Sequence, residues 1–165
     1  IRRKGIRIAV MGIVDPYAIK FYPDEIQNRI RLNDPVKSVK NEMKKLQNKA
    51  DIFVLLTHPG YDLDVQFAKK VDGLDLIVGS HSQTAIEQPK EINNTLIVQS
   101  GKAGHYVGLV KIKMKKGKIV EKSGRLDTMK FELPDDPRII DMIEEYEKKS
   151  GRMNHRKKKL LGLDH

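Results

Sequence analysis

The chain has 165 residues, 39% hydrophobic and 33% charged, enough for one domain with a real core under a heavily charged surface. It contains no cysteine, which excludes disulfides, zinc ribbons, c-type haem attachment and thiol nucleophiles, and no apolar run approaches the length of a membrane span. The formal net charge of +10 suits phosphates, nucleic acid or another acidic partner.

The chain opens Ile1-Arg2-Arg3-Lys4, with neither a signal peptide nor an initiator Met, and so reads as a processed or truncated product. Lys4-Gly5 is a turn signal, so residues 1–3 can end a preceding strand. Ile6–Met11 has the apolar, β-branched content of a buried strand. Gly12-Ile-Val-Asp-Pro16 closes it into a loop, and residues 17–32 are polar and weakly patterned. A helix follows, capped by Asn33 or Asp34 with Pro35 at its first position. Val36, Val39, Met43, Leu46 and Ala50 form its apolar face. Residues 52–57 are the next strand. Asp62 can cap a short helix whose inner face holds Leu63, Phe67 and Val71; Asp72-Gly73 stops it, and Leu74–Val78 is a second parallel strand.

Then the pattern changes. Asn93-Asn94 is a turn, Thr95–Gln99 a short strand, and Tyr106–Met114 alternates, with Tyr106, Gly108, Val110, Ile112 and Met114 on one side. Lys115–Lys118 is a hairpin turn and Lys118–Asp127 returns, so the second half is antiparallel in character. A last helix begins near Asp135-Asp136-Pro137, buries Ile139, Ile140, Ile143 and Tyr146, and ends at Gly151. From Lys148 to Lys159 the chain is basic, with no acid. That run is most simply a solvated tail, and no aromatic residue interleaves with it to stack on bases, which disfavours nucleic acid as the partner. The expected architecture is α/β, parallel strands first.

His58 and His81 each stand just past an apolar run, at the ends of two strands expected to be parallel neighbours. Open α/β sheets bind ligands at that carboxyl edge. Alone, each histidine is most simply a loop residue satisfied by backbone groups; together they favour a shared metal. Extended backbone from Ser80 to Gln83 would put Gln83 on the same face as His81. Neutral imidazole suits zinc, manganese and iron, and an amide oxygen is an acceptable hard ligand. This donor set carries no negative charge, however, and a two-metal site needs carboxylates. Asp62 and Asp64 are the local candidates, but Asp62 is more simply a cap. The carboxylates are expected on sequence outside this chain.

Thr57-His58-Pro59-Gly60-Tyr61, Leu76-Ile-Val-Gly79-Ser80-His81-Ser82-Gln83 and Ile97-Val-Gln99-Ser-Gly101-Lys-Ala-Gly104-His-Tyr106-Val-Gly108 together resemble the calcineurin-like metallophosphoesterases, in their bacterial 5′-nucleotidase and 2′,3′-cyclic phosphodiesterase branch. The resemblance runs from about Lys4 to Lys113. It implies a two-sheet sandwich flanked by helices (αββα), of which this chain supplies part. It also implies two divalent ions such as Mn, Zn or Fe, with His58 and His81 on one and Gln83 on the other, and a phosphorylated small-molecule substrate of the nucleotide kind. Gly101, Gly104 and Gly108 take structural roles in it, and an extracytoplasmic location is implied. Ser80 replaces the family's usual second glycine. The family's amino-terminal motifs, with the bridging Asp and the catalytic His, have no counterpart here, nor does its separate nucleotide-binding domain.

Residues 1–134 are therefore expected to be the carboxyl-terminal half of a catalytic domain, and residues 135–165 a helical extension with a basic tail. The expected partner is the missing amino-terminal half, on the same precursor or a separate chain, and the chain alone should be inactive. Two rivals remain. A thiosulfohydrolase relative would use similar ligands on a sulfur substrate, and a non-catalytic basic module would use the surface charge alone.

Overall fold

The computed structural model describes residues 1–130 and 132–151. The chain divides into two compact units, the first running from Ile1 to Met129 and the second beginning at Lys130.

The first unit is built on one sheet. Strand β1 (Arg2–Arg3) turns back into β2 (Ile6–Ile13) through Lys4 and Gly5, both at positive φ as a two-residue hairpin requires. Strands β3 (Ile52–Thr57) and β4 (Leu76–Val78) follow in parallel, each beside its predecessor. The far edge is made by β5 (Lys90–Ile92) and β6 (Thr95–Val98), giving the order β1-β2-β3-β4-β6-β5. The expected succession of parallel then antiparallel pairing holds. Thr95–Val98 itself lies parallel to β4, and its antiparallel neighbour is β5, a strand too polar and short to stand out in the sequence. Strands β7 (Tyr106–Lys115) and β8 (Lys118–Thr128) form a long hairpin closed at Lys116-Gly117.

Side-chain alternation gives the sheet two faces. Leu55, Ile77 and Ile97 pack against two helices, α2 (Pro35–Leu46) through Val39 and α3 (Tyr61–Lys70) through Phe67 and Ala68. The other face carries Ile52, Val54, Leu76 and Leu96 under Val110, Ile112 and Met114 of β7 and Ile119 of β8. The cover stops short of the strands' carboxyl ends. Leu56 and Val78, one row beyond Val54 and Leu76, are 44% and 36% exposed, and Val10 is 43% exposed. Ile6–Met11 is accordingly not buried as its composition suggests. From Ala9 to Ile13 nothing pairs with the outer side of β2 among the described residues, and the hairpin does not cover Val10.

Local punctuation accounts for the helices. The Asp34 carboxylate accepts from Lys37 N at 3.0 Å and Pro35 takes the first turn, which starts α2 where expected. Within the weakly patterned residues 17–32 the chain makes short helical turns: Asp15 caps a 3-10 turn over Pro16–Phe21, and α1 (Asp24–Gln27) is a single helical turn. Nor does Asp62 cap α3. The chain bends at Gly60 (φ 98°), and Asp64 N already donates to Gly60 O, so the helix starts at Tyr61 and Asp62 lies inside its first turn.

In the second unit, α4 (Pro137–Ser150) is capped by Asp136 and closed by Gly151 in the left-handed conformation. Its apolar stripe is not buried as expected: Ile139, Ile140, Ile143 and Tyr146 remain 51%, 36%, 37% and 60% exposed. A single amphipathic helix has no second apolar face of its own to pack against. Lys148 and Lys149 form its last turn, and the rest of the basic run, from Arg152, lies outside the described residues.

Candidate metal centre

Because β3 and β4 are parallel neighbours, they end at the same edge, and each delivers a histidine there. His58 follows Thr57 directly, and His81 comes three residues after Val78. Both are exposed, with ring centres 5.1 Å apart and ring planes at 69°. Two imidazoles sharing one tetrahedral ion, at metal–nitrogen bonds of about 2.0–2.1 Å, place their ring centres roughly 5 Å apart. The pair therefore has the ring-centre spacing that one shared ion asks for.

Gln83 does not follow the expected geometry. His81 (φ 67°) and Gln83 (φ 55°) are both left-handed, so residues 80–83 coil instead of extending. The alternation that would align the two side chains lapses, and Gln83 stands as a ligand on the resemblance alone. A left-handed non-glycine residue costs on the order of 1–3 kcal/mol and persists where its surroundings over-determine it.

Those surroundings are polar and specific. Gly79 N donates to Val98 O at 2.8 Å, and Gly101 N to Thr84 O at 3.1 Å. Ser82 Oγ accepts from Tyr61 N at 3.2 Å and from Thr84 Oγ1 at 3.1 Å, and donates to Gln99 Oε1 at 3.0 Å. Ser80 Oγ donates to Thr57 O at 2.7 Å and lies 3.0 Å from His58 Nδ1. The ends of β3, β4 and β6 are thus laced together through this loop. Glycine is required at position 60 by its backbone, φ 98° and ψ 165°, a region nearly closed to other residues, while a Cβ there would meet Ser82 Cβ at 3.6 Å and His81 Cδ2 at 3.8 Å, ordinary contact distances. The sequence reading quoted Ser80, Ser82 and Gln99 within its motifs without giving them a bonding role, and it passed over Thr84. The signal for the three hydroxyls was their run in a segment without helix or strand period, where such side chains bond to nearby backbone.

Asp64, weighed in the sequence only as a local carboxylate candidate, lies in the interior. It is fully buried, neither carboxylate oxygen has a hydrogen-bond partner among the described residues, and Oδ2 lies against Gly79. The spacing of Asp64, Phe67, Ala68 and Val71, all buried, is the helical stripe that could have revealed it. Burial pushes its carboxyl up to about 6, and the nearby Thr57 hydroxyl opposes the shift. The folded pKa then exceeds the unfolded value of 3.8, so the contribution to stability is full below about pH 4 and is lost as pH rises through about 6. Asp64→Asn should abolish this dependence, making the variant more stable than the parent at neutral pH by up to roughly 3 kcal/mol. Urea unfolding of both proteins between pH 4 and 7 checks it; parallel pH profiles would refute the assignment.

Neither local acid joins the imidazoles. Asp62 is exposed on α3 and Asp64 is sealed beneath the strand ends. Among the described residues, no three His, Asp or Glu side chains gather as a metal site. The donors present are neutral. Donors of this kind suit a borderline ion and cannot balance the charge of two.

No family model matches the chain. It is 34% identical over 110 residues to the uncharacterized metallophosphoesterase YunD of Bacillus subtilis (strain 168), a match covering 67% of this chain and 23% of that protein. Among solved structures, it superposes on the sulfate thiohydrolase SoxB of Thermus thermophilus in complex with glycerol, with a TM-score of 0.76 and 24% identity, over 86% of this chain and 27% of that one. It superposes likewise on a 5′-nucleotidase precursor from Thermus thermophilus, with a TM-score of 0.72 and 22% identity, over 89% of this chain and 32% of that one. The chain thus spans a third or less of the length of each of these proteins.

Proposed function

The chain belongs to the calcineurin-like metallophosphoesterases, matching the carboxyl-terminal part, and on that premise we propose that it supplies part of a dinuclear site for the hydrolysis of phosphoesters, nucleotides foremost. The observation that carries this reading is the imidazole pair, two exposed rings 5.1 Å apart at the carboxyl edge of adjacent parallel strands. In the complete enzyme His58 and His81 would hold one divalent ion and Gln83 the other. Such ions supply Lewis-acid neutralisation of phosphoryl charge and acidify water. The chain's own residues bind and orient: the imidazoles act as neutral nitrogen donors, and the Ser80–Ser82 loop holds them to the strand ends.

The carboxylates belong, in this proposal, to the amino-terminal half of the catalytic domain. Two features support such a partner. Val10, Leu56 and Val78, on one face of the sheet toward its carboxyl edge, are exposed, and among the described residues the outer edge of β2 is unpaired from Ala9 to Ile13. No helix among the described residues is long and apolar enough to cross a membrane, and the extracytoplasmic location is part of the proposal.

The test is the native mass, metal content and phosphatase activity of the protein purified from its source under non-denaturing conditions. A mass well above 18.9 kDa, with bound divalent metal and hydrolysis of 5′-nucleotides, is expected. Strong phosphatase activity in the lone chain would refute the partial site, and a complex without metal or hydrolysis would refute the enzyme. Thiosulfonate substrates run in parallel separate sulfur from phosphorus chemistry.

A further inference from the structure

Ser80 stands where the resembling family usually carries glycine, and the structure gives its hydroxyl two contacts. Oγ is 2.7 Å from Thr57 O and 3.0 Å from His58 Nδ1. A serine hydroxyl has one proton. A carbonyl oxygen can only accept, so a contact as short as that to Thr57 O requires the proton to lie between those two oxygens. Nothing is then left for Ser80 to donate to the imidazole, and Oγ must accept from it. The hydrogen on a neutral His58 ring therefore sits on Nδ1, and the Nε2 lone pair is free.

We propose that Ser80 is a positioning residue: its hydroxyl holds His58 as the Nδ1–H tautomer and presents Nε2 to the cation shared with His81. This rests on the metal-centre reading for its purpose but not for its proton accounting. An imidazole that ligates a metal through one nitrogen commonly donates its other N–H to an outer partner, which fixes both tautomer and ring orientation. That partner is usually a carboxylate, a backbone carbonyl or water. Here a hydroxyl passes the interaction on to the carbonyl of Thr57, the residue before His58 itself. The relay is closed within the two strand ends, so the β3–β4 register orients the ring before any ion arrives. The family's glycine could supply no such relay.

The test is a long-range proton–nitrogen correlation on the metal-free chain with labelled histidine, at a pH where the imidazoles are neutral. The His58 signals are assigned by their loss in His58→Gln. In the parent chain Nδ1 should resonate as a protonated nitrogen and Nε2 as an unprotonated one. Ser80→Ala and Ser80→Gly should move His58 toward the Nε2–H form that a solvated imidazole prefers, whereas Ser80→Thr, which keeps the hydroxyl, should retain Nδ1–H. Zinc ion alone, added to each, should perturb His58 and His81 together and bind Ser80→Ala about 10–100-fold more weakly than the parent. An Nε2–H form in the parent, an unchanged tautomer in Ser80→Ala, or zinc bound measurably and equally by parent and Ser80→Ala would each overturn the proposal. A parent in the Nδ1–H form whose imidazoles ignore zinc would refute the metal-centre reading instead and leave the hydroxyl's control of the tautomer standing.

Discussion

Replacing Gly79 with alanine should destabilise the first unit by about 1–3 kcal/mol, the cost of overpacking a filled interior. A Cβ at position 79 would lie 2.1 Å from Asp64 Oδ2, 3.3 Å from Asp64 Cγ and 3.6 Å from Thr57 Oγ1. The backbone there is not left-handed, so the constraint is space alone. Asp64 has no exposed direction in which to move, because its side chain is sealed between α3 and the strand ends. The clash must push either α3 outward or the Gly79–His81 turn upward, and the second motion would also separate the imidazoles. The double variant Gly79→Ala/Asp64→Ala removes the obstructing atoms, so its destabilisation should fall short of the sum of the single changes by roughly 0.5–3 kcal/mol. Denaturant unfolding of the four proteins at one pH measures this coupling. Additive effects, or a Gly79→Ala variant as stable as the parent, would mean that the contact is not what constrains this turn.

In the completed enzyme, His58→Ala and His81→Ala should each lower divalent-metal affinity and hydrolysis by more than the roughly 10–100-fold that follows from losing an outer partner alone. Each removes one of two nitrogen donors whose spacing fits one shared ion, and alanine offers no substitute. Fold stability should change little, about 0.5 kcal/mol or less, because both rings are exposed. His105→Ala serves as the comparison: His105, exposed on the loop between β6 and β7, is assigned no metal in this reading, and its loss should leave metal binding intact. The measurement is metal affinity by competition with a chromogenic chelator, alongside kcat and KM for a 5′-nucleotide. Equal losses in His105→Ala, or unchanged affinity in both histidine variants, would remove the pair from the site.

How far the sequence could be read depended on how local each determinant is. Asp34-Pro35 set the start of α2, the apolar run of Ile52–Thr57 set β3, and Lys116-Gly117 closed the long hairpin, because caps, period-two runs and turn residues act within a few positions of themselves. The delivery of His58 and His81 to one edge was legible for a related reason, since two apolar strands joined by one short helix can hardly be other than parallel neighbours. Asp62 was misread because the bend at Gly60 starts the helix earlier than a carboxylate suggests.

Determinants that act across the fold lie one contact further out. Residue type and short-range period were enough for the α/β order and the histidine pair. Folding in three dimensions decided that Asp64 is buried against Gly79, that the Ser80–Gln83 segment coils, and that Ser80 meets both Thr57 and His58. Those contacts join residues about 15 to 23 positions apart. Their partners are chosen by the register of β3 against β4 and by the seating of α3, which no single stretch of chain specifies.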